Sequence, residues 1–100
     1  MIVGWEFAVI PSFGCRDTEK LFNAERSRPF DAIAQPARRK LMMLHAAVQL
    51  DDLTRPPGNR LEALRGDRRG QHSIRINDQW RIVFIWRDDG PHEVAIVDYH

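Results

Sequence analysis

The sequence predicts an α+β domain, with two or three N-terminal helices packed on one face of a curved, mainly antiparallel sheet of four to five strands. Two observations carry this. Between residues 16 and 53 the apolar positions recur at three- and four-residue spacing, and from Leu61 onward the period changes to two. The C-terminal part is also cut at short intervals by "GDRRG", "NDQ" and "RDDGP", the punctuation of a β-meander.

Taken in order, "FAVIPSF" is apolar, β-rich and interrupted by a proline, which suits a strand at a sheet edge. "RDTEKLFNAERS" predicts a short helix with Asp17 or Thr18 as N-cap and Leu21 and Phe22 on its apolar face. The clearest helix lies in "RPFDAIAQPARRKLMMLHAAVQLDDL". Pro36 fits its first turn and Ile33 packs on its start. Leu41, Leu44, His45 and Val48 share one face, while Arg38, Arg39 and Gln49 take other positions. "RPPGN" breaks the chain. "RLEAL", "HSIRI", "WRIVFIW" and "HEVAIVDY" then follow as strands.

One hundred residues fit one domain, taken here as 1–100, with 43% hydrophobic and 29% charged residues, ordinary globular usage. Cys15 is the only cysteine, so no disulfide can form within the chain and a reducing cytoplasm suits it. The opening "MIVGWEFAVI" carries no basic n-region, and its apolar run is too short for a signal peptide or a membrane span. No ligand spacing links His72, His92 and His100, so no metal site is expected.

Net charge is only +1, but it is unevenly spread. Residues 60–81 hold Arg60, Arg65, Arg68, Arg69, Arg75 and Arg81 against three carboxylates, and residues 82–100 hold Arg87 against four. A three-residue "NDQ" loop places Ile76 opposite Trp80, Arg75 opposite Arg81 and Ile74 opposite Ile82. Ile74, Ile76, Trp80, Ile82, Phe84 and Trp86 then form the core face, and Arg75 and Arg81 lie side by side on the other. A two-residue "ND" loop would instead set Arg81 beside Ile74, mixing charge with aromatic residues. Like charges directly opposite each other destabilise a sheet by about 0.2–1 kcal/mol, so the arginine pair requires a carboxylate or a bound anion. The chain's end, "DYH", puts Asp98 and His100 on one strand face and Tyr99 on the other. An imidazole suits proton transfer, and a phenol ring suits stacking on a base.

The stretches "SF" and "EKLF" (residues 12–13 and 19–22), the block "RLEALRGDRRGQHSIRINDQWRIVF" and the terminal "DYH" together resemble the HigB toxins of bacterial type II toxin–antitoxin pairs, a branch of the RelE/ParE superfamily. The resemblance runs from Ile10 to His100. Residues 1–9 are extra relative to the usual family start, as an added half-strand or a start codon assigned too early. It implies a RelE/ParE-like fold and a ribosome-dependent endoribonuclease that cuts translated mRNA in the decoding site. No metal or cofactor is implied. The implied partners are a HigA-like helix-turn-helix antitoxin, the ribosome and mRNA, with operator DNA contacted only through the antitoxin complex and no membrane.

Carried over residue by residue, Arg81 matches a phosphate-contacting arginine, and Asp98, Tyr99 and His100 match the C-terminal catalytic group. Arg65 falls where many relatives have lysine. Guanidinium does not exchange protons in practice, so only an electrostatic role survives at Arg65. Arg75, Arg68 and Arg69 are the further RNA- or phosphate-binding candidates. Gly66, Asp67 and Gly70 read as turn-formers, with Asp67 tying down Arg68. The alternatives are a ParE-like toxin that inhibits DNA gyrase without cutting RNA, and a catalytically weak relative that only binds its antitoxin.

Overall fold

The computed structural model describes residues 10–99, so the expectations for residues 1–9 and for His100 lie outside the described residues. Two α-helices, α1 (Arg16–Phe22) and α2 (Ala34–Ala46), precede four strands: β1 (Glu62–Ala63), β2 (His72–Arg75), β3 (Trp80–Arg87) and β4 (Gly90–Asp98). The strands form one antiparallel sheet in chain order, as the meander predicted. Short 3-10 turns at Arg28–Ile33, Leu50–Thr54, Pro57–Asn59 and Gly66–Arg68 make the connections.

Helix α2 forms where the spacing placed it. Ala37, Leu41 and Leu44 are fully buried along one face, Pro36 sits in the first turn, and Ile33 is the buried N-cap residue. The helix stops at Ala46, however, and Val48 is exposed rather than on the apolar face. The Asp52 carboxylate accepts hydrogen bonds from the backbone N–H groups of Val48 (2.9 Å) and Gln49 (3.1 Å), drawing them into the next turn. Helix α1 likewise has Cys15 as N-cap residue in place of Asp17 or Thr18. Those two side chains serve tertiary contacts instead. Thr18 Oγ1 accepts from the Ile96 N–H (2.9 Å), and Asp17 accepts from the Ser27 hydroxyl (3.2 Å).

In the sheet, Ile74, Ile76, Ile82 and Phe84 are buried against Leu21, Leu41 and Leu44, and Trp80 and Trp86 pack on the same cluster. Each fully buried aliphatic or aromatic side chain contributes about 1.5–3 kcal/mol. Trp80 meets Phe30 edge-on, with ring centroids 5.6 Å apart at 82°. The "NDQ" loop is the predicted three-residue turn. Asn77 Oδ1 accepts from the N–H groups of Gln79 and Trp80, and Ile76 N–H donates to the Trp80 carbonyl. This turn sets the register Ile74↔Ile82 and Arg75↔Arg81. The opposite face is less polar than the sequence suggested, because Val83 is buried on it and Ala95 and Val97 are half-buried.

The turn between β3 and β4 is tighter than "RDDGP". Arg87 pairs with Gly90, leaving only Asp88 and Asp89 in the loop. Between Val83 and Ile85 the register shifts, and Glu93 takes a left-handed conformation (φ 51°), the mark of a β-bulge in β4. The stretch expected as an edge strand makes a single parallel bridge, Phe13↔Val94, among its described residues. Gly14 allows that approach, since a Cβ there would stand 2.9 Å from the Glu93 carbonyl oxygen. No helix among the described residues is long and apolar enough to cross a membrane.

Gly14→Ala is expected to destabilise the domain by about 1–3 kcal/mol, read from urea unfolding, because the obstructing atom is backbone. A second prediction concerns acid. The Gln49 and Val48 N–H groups hold the Asp52 carboxyl below its ordinary value of 3.8. Its stabilisation is therefore present above that pH and lost as pH falls through the lower folded value. Asp52→Ala is expected to melt below wild type at pH 7, with the gap closing in acid below about pH 3.8.

Candidate functional site

Arg81 projects from the start of β3 onto the face opposite the hydrophobic core, yet its side chain is only 8% exposed. A buried guanidinium needs partners on every side it presents to protein. Its Nε donates to Ser73 Oγ at 2.8 Å, and its Nη2 donates to the Arg60 carbonyl at 2.7 Å. Glu62 Oε1 stands 3.6 Å from the same Nη2. Arg60 turns its carbonyl inward from a left-handed conformation (φ 46°), which follows directly on the 3-10 turn Pro57–Asn59. Glu62 arrives because β1 pairs with β2 in the register Glu62↔Ser73, and Ser73 in turn lies opposite Val83, two residues from Arg81.

Tyr99 covers the remaining side. The Arg81 guanidinium carbon lies 5.2 Å from the Tyr99 ring centroid, a cation–π distance, and the Tyr99 N–H donates to the Gln79 carbonyl (2.6 Å). The ring is 41% exposed on its outer side. Beside it opens a cleft of about 340 Å³ lined by Glu62, Ala63, Leu64, Arg65, Arg68 and Tyr99. Gly66 (φ 63°) and Gly70 (φ 92°) shape the turn that carries Arg65 and Arg68 to its rim.

The structure thus brings Arg65, Arg68 and Tyr99 together around one cleft, with Arg81 held behind it against the Tyr99 ring. Arg68 donates to Gln71 Oε1 (3.2 Å) rather than to Asp67 among the described residues. Arg69 is exposed at the end of the turn and does not line the cleft. Arg75 stands opposite Arg81, as the register required, and is paired with the Asp78 carboxylate. Asp98 lies opposite Trp80, one position from Tyr99 and on the other strand face, and accepts from Gln79 Nε2 (3.1 Å). His92 bridges Ser12 and Asp89, holding the Asp89 carboxyl below its ordinary range, and His72 stacks on Phe84.

Sequence reasoning missed Ser73, the Arg60 carbonyl and Glu62. The like-charge pair signalled a need for a carboxylate or a bound anion, and the structure places the Asp78 carboxylate on Arg75 and the Glu62 carboxylate near Arg81. What it lacked was the pairing of a two-residue strand. Chemically, the arrangement offers fixed positive charge at Arg81, movable guanidinium groups at Arg65 and Arg68, an aromatic face, and one carboxylate among the lining residues. Those groups suit a phosphodiester with an adjoining base.

Residues 17–100 match the family model described as the RelE-like toxin of the type II toxin–antitoxin system HigB. The chain is 52% identical over 50 residues to Toxin HigB-1 of Vibrio cholerae serotype O1, covering 50% of this chain and 53% of that protein. It is 37% identical over 51 residues to an uncharacterised protein of Haemophilus influenzae, covering 51% and 50% respectively. The chain thus spans about half the length of the curated relatives it matches.

Ser73→Ala removes the acceptor of a buried charged donor. It is expected to cost about 1.5–3 kcal/mol in urea unfolding, whereas Arg69→Ala, at an exposed position, should stay within about 0.5 kcal/mol of wild type.

Proposed function

The chain belongs to the family of RelE-like HigB toxins of type II toxin–antitoxin systems, and we propose that it is a ribosome-dependent endoribonuclease that cleaves translated mRNA in the decoding site. The observation that carries this reading is the Arg81 guanidinium, held by Ser73, Arg60 and Glu62 beneath the Tyr99 ring at the edge of an arginine-rimmed cleft. A guanidinium fixed before substrate arrives stabilises developing charge without reorganising.

The reaction is attack of a ribose 2′-oxygen on the adjacent phosphorus, with loss of the 5′-oxygen, giving a 2′,3′-cyclic phosphate and a 5′-hydroxyl end. Arg81 and Arg65 stabilise the extra negative charge of the phosphorane. Arg68 and Arg75, with Arg69 further out, attract and hold the RNA backbone. Tyr99 stacks on a base with its outer face, since Arg81 occupies the inner one. Proton transfer falls to carboxylates and imidazole, because arginine cannot supply it. Glu62 lines the cleft and is placed to take the 2′-hydroxyl proton. Asp98 and His100, at the chain end, are the remaining candidates and serve protonation of the leaving 5′-oxygen. No metal or cofactor enters this scheme.

As a member of a toxin–antitoxin family, the protein has an antitoxin partner. The finer reading is a cytoplasmic single domain over residues 1–100, neutralised by a HigA-like helix-turn-helix antitoxin whose complex with it binds operator DNA.

Induced expression is expected to arrest growth, and mapping of RNA 5′ ends should place the cuts within translated regions. Arg65→Ala and Tyr99→Ala, both at exposed positions, should fold and lower cleavage about 10²-fold or more, relieving arrest. A chelator should leave cleavage unchanged. Intact transcripts accompanied by DNA damage would replace this reading with gyrase inhibition.

A further inference from the structure

Strand β1 covers the outer edge of β2 only at His72 and Ser73. Beyond that point the turn Pro57–Asn59 packs against β2 instead. Asn59, at the end of the turn, is fully buried. Its amide donates to the Leu53 carbonyl at 3.1 Å, and its side-chain oxygen accepts from Lys40 Nζ at 2.5 Å. The Lys40 side chain is thereby drawn from α2 toward the sheet edge where Arg75 stands.

The charge there is one-sided. Burial, then the neighbouring Arg39 and Arg75, push the Lys40 ammonium below its usual range, so these cations act on one another. Among the described residues, the carboxylate paired with this group is Asp78, on Arg75. Tying α2 to the turn requires only one neutral hydrogen bond to Asn59. A lysine flanked by two arginines costs more than that tie needs, and a bound anion would offset the cost. Lys40 Nζ also has two further N–H donors for such a ligand.

The cluster adjoins Arg81. Asn59 holds Lys40, and the next residue, Arg60, gives its carbonyl to Arg81. Arg75 is the cross-strand neighbour of Arg81. Consecutive residues, Asn59 and Arg60, therefore fix the two cations.

We propose that Lys40, Arg39 and Arg75 form a second anion site, which takes a phosphodiester flanking the one held at Arg81 on the same RNA strand. The site rests on the RNA-cleaving reading and extends it. It makes recognition depend on RNA length beyond the scissile bond, through charge and not through base identity.

The test uses 2′-O-methyl RNA, which cannot be cleaved. A dinucleotide with one phosphodiester reports the cleft, and a tetranucleotide with three also reaches the second site. Wild type should bind the tetranucleotide at least about tenfold more tightly, as one charge-assisted contact implies. In Lys40→Gln the dinucleotide affinity should hold while most of that gain is lost. Its dependence of log affinity on log salt should also become shallower by about 0.7 for each phosphate contact removed. Gln keeps a polar head for Asn59, and Arg39→Gln, at an exposed position, gives the same comparison if Lys40→Gln unfolds. A length gain that survives both substitutions, or is missing in wild type, would overturn the second site and leave the cleft assignment standing. Wild type that binds neither oligonucleotide would overturn this site, whereas the RNA-cleaving reading stands or falls by the mapping of RNA 5′ ends.

Discussion

The arrangement of this small sheet turns on one buried positive charge. A guanidinium removed from water is tolerated only if its hydrogen bonds are met, and several local choices in the chain meet those of Arg81. Ser73 occupies a strand position that a β-branched apolar residue would otherwise suit. Arg60 adopts a left-handed backbone, uncommon for a residue with a side chain, to aim its carbonyl. The two-residue strand β1 brings Glu62 within reach, and the last described residue places an aromatic ring above. Core packing alone asks for none of these.

That investment separates the arginines into two kinds. Arg81 is immobile, so its charge is in place when a phosphate arrives. Arg65 and Arg68 stand exposed on a turn shaped by two glycines with positive φ, and can follow the substrate. Rigid and adaptable cations at one cleft fit a reaction in which the phosphorus changes geometry while the strand remains held. Arg75 is intermediate: its pairing with Asp78 solves the like-charge problem with Arg81 and also orients it along the same surface.

Most of the scaffold was legible in the sequence, because it rests on local signals. The period of two, the Asx turn at Asn77 and the segregation of arginine from tryptophan together set the register of β2 on β3. Errors arose where a side chain engaged in a tertiary contact was taken for its familiar local use. Thr18 and Asp17 look like caps but bind β4 and Ser27, and Val48 continues a helical pattern that Asp52 interrupts. The bulge at Glu93 was illegible, since it lies against Gly14, a neighbour distant in sequence that no local pattern announces. In the site, the resemblance pointed to Arg65, Arg81 and Tyr99, whereas Glu62 and Ser73 needed the register in which the first strand pairs with β2, which the strand pattern alone does not set.

Arginine at position 65 sharpens the division of labour. A lysine there could both stabilise charge and move a proton, so a mechanism could rest on that one side chain. Arginine surrenders the second role, and Arg68 and Arg81 cannot restore it. Under the proposed RNA-cleaving function the proton would then travel through groups of another type, and among the residues lining the cleft Glu62 offers the one carboxylate. Glu62 is also the ion-pair partner of Arg81, so the base and the main electrostatic group are held in one geometry. Taking up a proton would weaken that pair just as the phosphorane gains negative charge, turning Arg81 from its carboxylate toward the substrate. On the proposed reading, charge stabilisation and proton transfer are in this way coupled through a single contact.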